Sequence, residues 1–356
     1  MEPELAPLTA AAFRDLLALL GRVDQRFTAG DGRLDDPTSV VEGYRWILSI
    51  LSVGAEVWLW GDSQRPRFVD IVGPNRKWGG DNADAYYQYA PIDPRRTYRV
   101  QGVKGDAVYY SLTVYGGPDD GRYSTRIVGT QNHRTVPAAD DGTFQLWLSP
   151  TPQAGPTIVL EPDAVAAITR DYLVDPVGGR RVEWAIECVD GEGDPVPSDA
   201  DTARRLRGVA TWVEAQAAIV PVTPPVVNAV AEPYPVPTST FGWAAGDAAY
   251  AFGGFDLGPD EALLVRGRSP ECAFWNLCLW TPFLHTYDYA YDAVTINGGQ
   301  VTYGADGSWV LIVAPRDPGR PNWLSTQGHR SGLLWFRWFL PETTPERPTC
   351  EVVALP

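Results

Sequence analysis

The chain has 356 residues, enough to bury a large core and, on length alone, to form two domains. It is acidic, with 44 carboxylates against 29 basic side chains, and shows no basic stripe, which argues against a nucleic-acid binder. Four cysteines without CxxC spacing read as small buried hydrophobes in a reducing compartment rather than a zinc site. No leader pattern and no membrane-length apolar run is visible, so a soluble, cytoplasmic protein is expected.

In chain order, Thr9 is a candidate cap for a helix through Leu20, with Phe13, Leu16, Leu17 and Leu20 along one face. Asp36-Pro37 opens a second helix carrying Val40, Tyr44, Ile47, Leu48 and Leu51, with room to continue to Leu59. From Arg67 onward apolar residues recur at every second position, and strands are expected at 97–103, 108–115, 122–127, 143–148 and 157–160. Pro162-Asp163 then opens a short helix to Tyr172, 183–189 alternates as a strand, and Ser198 caps a third long helix from Asp199 to about Ala218.

Six prolines between 221 and 237 rule out a helix or an internal strand and mark an extended connector. Further strands are expected at 250–255, 262–267, 274–280, 293–296, 301–303, 309–313, 333–340 and 351–354, a sandwich or jelly-roll pattern. No repeat at a fixed period is visible. The expected fold is α+β: a helical and antiparallel-sheet region over 1–220, a connector over 221–240, and a jelly-roll-like β-sandwich over 241–356.

The unusual residues concentrate in Arg316–Arg330, a turn-rich polar loop between apolar strands. His329 is its acid/base candidate, since imidazole titrates near neutrality, and Asp317 could orient it or merely cap the Asp-Pro-Gly turn. Arg268 and Arg337 sit in apolar surroundings. Such a guanidinium clamps an anionic ligand or pairs structurally with Asp288, Asp292 or Glu271. The segment Gly79–Asp84 sets Asp81, Asn82 and Asp84 beside Tyr86, Tyr87 and Tyr89, as a hydroxyl-binding site, an acid of a glycosidase pair, a Ca²⁺ site without EF-hand spacing or a plain turn. Trp275, Trp280, Trp309, Trp323, Trp335 and Trp338 could form a stacking platform for a sugar or aromatic ligand; most, lying in strands, read as core, and Trp323, in the loop beside Asn322, is the exception. No GxSxG, Walker A or HExxH motif is present, and three scattered histidines do not suggest a metal site.

The C-terminal block Gly267-Arg268-Ser-Pro-Glu-Cys272-Ala-Phe-Trp275, then Tyr287-Asp-Tyr289, Asn297, Asp306-Gly307 and Asp317-Pro-Gly…Asn322-Trp-Leu…Thr326…Gly328-His329…Gly332, resembles bacterial proteins of domain-of-unknown-function family 1214. In that family it is commonly paired with an N-terminal region of the 1254 type. Gly79–Tyr87 and Tyr98–Gly102 are looser matches to that pairing, and Arg316 stands where relatives often carry His. The resemblance implies a mixed first part followed by a β-sandwich, and no settled activity.

The residues point to a cofactor-free enzyme, with no metal ligands assigned, acting on a polar small molecule, with carbohydrates and glycosides the leading candidates, in a cleft between the two regions. His329 would move protons, with Asp317 and Asp81 or Asp84 as the carboxylates. Asn322, Trp323, Asn82, Tyr87 and Trp275 would hold substrate, and Arg268, Arg330 or Arg337 an anionic group. The alternative is a non-catalytic ligand-binding or scaffold protein. A small-molecule ligand is expected as partner, neither nucleic acid nor membrane is, and exposed aromatics could build a homo-oligomer surface.

Overall fold

Two capping side chains set the long helices. The structure is a computed structural model that describes residues 5–191, 196–234 and 243–355. Helix α1 is Pro7–Val23 and α2 the single turn Gln25–Thr28; α3 is Pro37–Gly54 and α4 Asp199–Ala217. The Asp36 carboxylate accepts from the Ser39 N–H at 2.9 Å at the start of α3, and Ser198 Oγ accepts from the Asp201 N–H at 3.1 Å at the start of α4. Helix α3 runs on through a wider turn over Ala55–Leu59, as the sequence allowed.

Helix α1 departs from expectation. Pro7 opens it, and Thr9 is fastened to Asp199 instead, its N–H donating to Oδ1 at 2.8 Å. The buried stripe is Ala12, Leu16, Leu19 and Val23, where α1 lies along α4, while Phe13 and Leu17 are half exposed.

The first sandwich comprises β1 (Val69–Val72), β2 (Ala85–Pro91), β3 (Tyr98–Val103), β4 (Tyr109–Gly116), β5 (Arg126–Asn132), β6 (Thr143–Ser149), β7 (Thr157–Val159), β8 (Ala164–Tyr172) and β9 (Glu183–Cys188). Its sheets run β1-β2-β8-β4-β5 and β7-β6-β3-β9. The second comprises β10 (Ala229–Val230), β11 (Ala248–Asp256), β12 (Glu261–Gly267), β13 (Phe274–Trp280), β14 (Thr295–Asn297), β15 (Trp309–Ala314), β16 (Trp323–Ser325), β17 (Ser331–Phe339) and β18 (Thr349–Ala354). Its sheets run β10-β11-β17-β13-β14 and β16-β15-β12-β18.

Adding nine to each strand number of the first sandwich generates the second, in both sheets. Even a parallel pair recurs, β6 with β7 and β15 with β16. The chain therefore repeats one topology, although no periodicity was visible in the sequence. The reason lies in the strands. Equivalent β8 (AVAAITRDY) and β17 (SGLLWFRWF) share only the arginine at their seventh position. Packing conserves burial and register here, not identity.

Strand β8 replaces the helix expected from Pro162 to Tyr172. Three alanines favour a helix in isolation. In the fold the segment is clamped between β2 and β4 and buried on both faces, so tertiary pairing overrides propensity. Residues 301–303 form no strand. The connector contributes β10 as a two-residue edge strand on β11, which suits its prolines, and its residues 235–240 lie outside those described.

Each sandwich has its own core. A third core joins them, where the outer faces of the two five-stranded sheets meet under α1, α3 and α4. Its contacts are reciprocal. Tyr109 meets Phe339 at 4.9 Å between ring centroids, and Tyr172 meets Phe274 at 5.1 Å. Tyr109 and Phe274 open β4 and β13, and Tyr172 and Phe339 close β8 and β17. Tyr172 and Phe339 also touch, at 4.4 Å, so an approximate two-fold axis passes between them. Among the described residues, no helix is long and apolar enough to cross a membrane.

Candidate functional site

The same approximate symmetry builds a cavity. Arg170 of β8 pairs in register with Tyr87 of β2, and Arg337 of β17 with Tyr250 of β11. The side chains of all four line one cavity of about 410 Å³, walled also by Trp78, Trp243, Trp280 and Trp335. Arg170 and Arg337 are only 2% and 3% exposed.

Each arginine is anchored by the opposite half. Arg337 Nη2 donates to the Gly80 carbonyl at 2.8 Å and the Asp81 carbonyl at 3.0 Å. Arg170 Nη2 donates to the Trp243 carbonyl and to Tyr115 Oη, the latter at 2.9 Å. Gly80 stands five residues before β2 and Trp243 five before β11, so the two anchors are equivalent positions. Gly80 has φ +85°, a left-handed conformation glycine adopts without strain.

Neither arginine has a carboxylate partner among the described residues, and each Nη1 is buried with nothing to donate to. Burial opposes their charge, but the net shift is upward and arginine keeps its proton in proteins, so both stay guanidinium ions. Arg170 lies 5.1 Å from the Tyr87 ring centre and Arg337 4.9 Å from that of Trp280. The indole N–H groups of Trp243, Trp280 and Trp335 are likewise buried and unpartnered. Every buried polar side-chain atom of the described lining that lacks a partner is thus an N–H donor. Those donors lack an acceptor, and an anion supplies one.

Of the residues singled out in the sequence, Gly79, Gly80, Tyr87, Trp280, Trp335 and Arg337 line this cavity. Arg337 takes neither Asp288, Asp292 nor Glu271 as ion-pair partner. The early Asp/Asn segment lies alongside, but its side chains are spent on fastening the halves together. Asp81 accepts from the Thr286 N–H at 2.8 Å and Thr286 Oγ1 at 2.6 Å, with Lys77 Nζ at 3.6 Å. Asn82 Oδ1 accepts from the Asp84 N–H at 2.9 Å and Asn276 Nδ2 at 2.7 Å. Asp84 accepts from Asn276 at 2.6 Å, Thr295 at 2.9 Å and Asn297 at 3.1 Å, all in the second sandwich. Burial pushes its carboxyl up to about 6, and those three bonds, with the Arg337 charge, hold it from rising further.

The expected acid/base pair does not form. Asp317 is exposed and caps its own turn, accepting from the Gly319 N–H at 2.7 Å. His329 stacks on Tyr287 at 4.3 Å, with Nδ1 2.8 Å from the Thr326 carbonyl and Nε2 2.7 Å from Glu42 of α3. Its hydrogen bonds thus fasten the loop to α3. Asn322 has φ +63° and is held by Thr302 and Val310: it accepts from the Thr302 N–H at 2.8 Å and donates to the Thr302 carbonyl at 2.8 Å and the Val310 carbonyl at 3.0 Å. Trp323 donates to the Ala314 carbonyl at 3.1 Å, and Trp275 to Tyr303 Oη at 3.1 Å. Arg268 pairs with Asp306 and Arg330 with Asp256, both on the surface. The loop is held as a corner, because Arg316, Asp317, Asn322, Trp323, His329 and Arg330 each bond to other groups of the protein.

Two stability outcomes follow. Burial lowers the His329 pKa, but the Glu42 bond and charge raise it more, so the net shift is upward. The contribution of this pair is fully present below the ordinary imidazole pKa and is lost as pH rises through the folded value. His329→Ala should therefore cost about 1–2 kcal/mol more at pH 5.5 than at pH 9 by urea unfolding. Equal penalties at both pH values would show the pair carries no charge. Asn322→Ala should cost about 1–3 kcal/mol from stranded backbone groups and strain. Ligand binding in the cavity should be unchanged by calorimetry; weakened binding would return Asn322 to a substrate role.

Sequence reasoning missed Arg170, Trp78, Trp243 and Tyr250. The one signal available was an arginine inside an apolar strand, visible in β17 and hidden in β8 by the helical expectation.

Fold and cavity together define a duplicated β-sandwich protein with helices over an internal, donor-lined cavity. Residues 261–343, within the second sandwich, match the model of a family described as "Protein of unknown function (DUF1214)". That match does not reach the first sandwich. No curated protein matches the chain. Among solved structures, an uncharacterized protein from Burkholderia cenocepacia is similar over 99% of both chains, at 28% identity and a TM-score of 0.85. The VPA0106 protein from Vibrio parahaemolyticus is similar over 88% of this chain and 98% of its own, at 12% identity and a TM-score of 0.53, a likeness of fold alone. The first likeness spans the helices and both sandwiches, so the whole arrangement is shared with a protein seen crystallographically.

Proposed function

We propose that the chain is a ligand-binding protein whose central cavity takes up a small anionic molecule with an apolar, ring-containing body. One observation carries this: two buried guanidinium ions, neither bonded to a carboxylate among the described residues, share an aromatic cavity whose buried, unpartnered side-chain atoms are all donors. The volume, about 410 Å³, suits a small molecule. Binding rather than glycoside hydrolysis is favoured by the ionisable groups of the described lining, which are tyrosine and arginine, with no carboxylate pair. The cysteines, free among the described residues, support a reducing compartment, the cytoplasm. A thermal-shift panel of benzoate, the benzenedicarboxylates, glucose and cellobiose tests the proposal. Aromatic acids should raise the melting temperature with concentration and the sugars should not. The opposite pattern would refute it.

A further inference from the structure

We propose that the ligand is doubly anionic, a small dicarboxylate whose ring lies across the approximate two-fold axis with one carboxylate against each arginine. This rests on the anion reading of the cavity and narrows it.

The first ground is symmetry. Arg170 and Arg337 occupy the seventh position of equivalent strands, pair with equivalent tyrosines and are anchored at equivalent carbonyls. Each spends Nη2 on its anchor and keeps Nη1 unpartnered. Whatever group satisfies one is chemically suited to the other.

The second ground is charge. A monocarboxylate would leave one buried guanidinium with no carboxylate bonded to it, Asp84 acting on Arg337 by charge alone, and a low-dielectric site penalises that. Two carboxylates balance two guanidinium ions. Both arginines also act electrostatically on the same three phenols, Tyr87, Tyr172 and Tyr250, so the positive charges bear on one shared space.

The third ground is shape. Between the arginines the cavity is walled by rings, with Tyr87 and Tyr250 as the equivalent pair and Trp243 and Trp335 beyond. Aromatic walls favour a flat apolar body between the charged ends. The walls are not fully symmetric: Trp280 stands where the first half has Tyr115, and Trp335 where it has Ile168. The two ends of the cavity therefore differ in their aromatic surroundings while keeping the same cation.

Calorimetric titration of benzoate, phthalate, isophthalate, terephthalate and sulfate into wild type, Arg170→Gln and Arg337→Gln protein tests this. At least one diacid should bind about tenfold or more tightly than benzoate, the worth of one further charge-assisted contact. Either substitution should bring that diacid to within about threefold of benzoate, since one charged contact remains. Benzoate or sulfate binding as tightly as every diacid would overturn the dianion proposal while leaving an anion site, and so would a variant that keeps the diacid preference. Absence of binding by all five probes to wild type would sink the anion site itself. The wild-type comparison decides even where a variant does not fold.

Discussion

Asp84→Ala should cost on the order of 3–5 kcal/mol in chemical denaturation, the largest stability effect expected of a single polar substitution here. Asp84 is fully buried and accepts from Asn276, Thr295 and Asn297 across the junction of the sandwiches. Removing it strands those donors where no water reaches and opens a void beside them. The reciprocal lock is Asp247, which likewise precedes its strand directly. It accepts from Tyr109 Oη at 2.6 Å and Asn132 Nδ2 at 3.1 Å in the first sandwich. Asn132 and Asn297 are register equivalents, opposite Ser111 and Asn276. The main chain repeats the relation: Leu173 N–H donates to the Asp84 carbonyl, and Leu340 N–H to the Asp247 carbonyl. Asp247 is only half-buried, so Asp247→Ala should cost less, and the double variant should show coupling because both locks hold one interface. An Asp84→Ala protein within 1 kcal/mol of wild type would mean the halves are held by apolar contact alone.

Arg337→Met should have the opposite signature. Anion binding should fall by at least tenfold, because the remaining guanidinium supplies a single charge-assisted contact. Stability without ligand should be unchanged or higher, since a buried charge with no bonded carboxylate is replaced by an apolar chain of similar reach. The Gly80 and Asp81 carbonyls lose a donor, which offsets part of that gain. A structural arginine would show the reverse, with melting temperature lost and binding intact. Thermal unfolding with and without isophthalate separates the two outcomes.

Much of this fold was legible because its signals are local. The Asp36 and Ser198 caps place two helices, and alternation with glycine turns places most strands. What stayed hidden depends on partners distant in the chain. Strand β8 reads as helix because its alanines answer to local propensity, whereas its conformation answers to β2 and β4. The duplication is invisible because strands that keep register and burial need not keep identity.

The site divided along the same line. Arg337 could be suspected because a charge inside GLLWFRWF needs an explanation, and the same logic applied to AITRDY would have found Arg170. The loop around His329 misled because residues that build turns are also residues that do chemistry, and only geometry tells a capped corner from an open cleft. Asp81 and Asp84 were rightly seen as unusual, but their oxygens are used in joining the halves.

The most direct measurement is the melting temperature against isophthalate concentration, for wild type and for the double variant Arg170→Met/Arg337→Met. Wild type should climb steadily with the logarithm of concentration once the site fills, while the double variant stays flat from a melting temperature close to that of unliganded wild type. Equal climbs in both proteins would show that the paired arginines do not bind the anion.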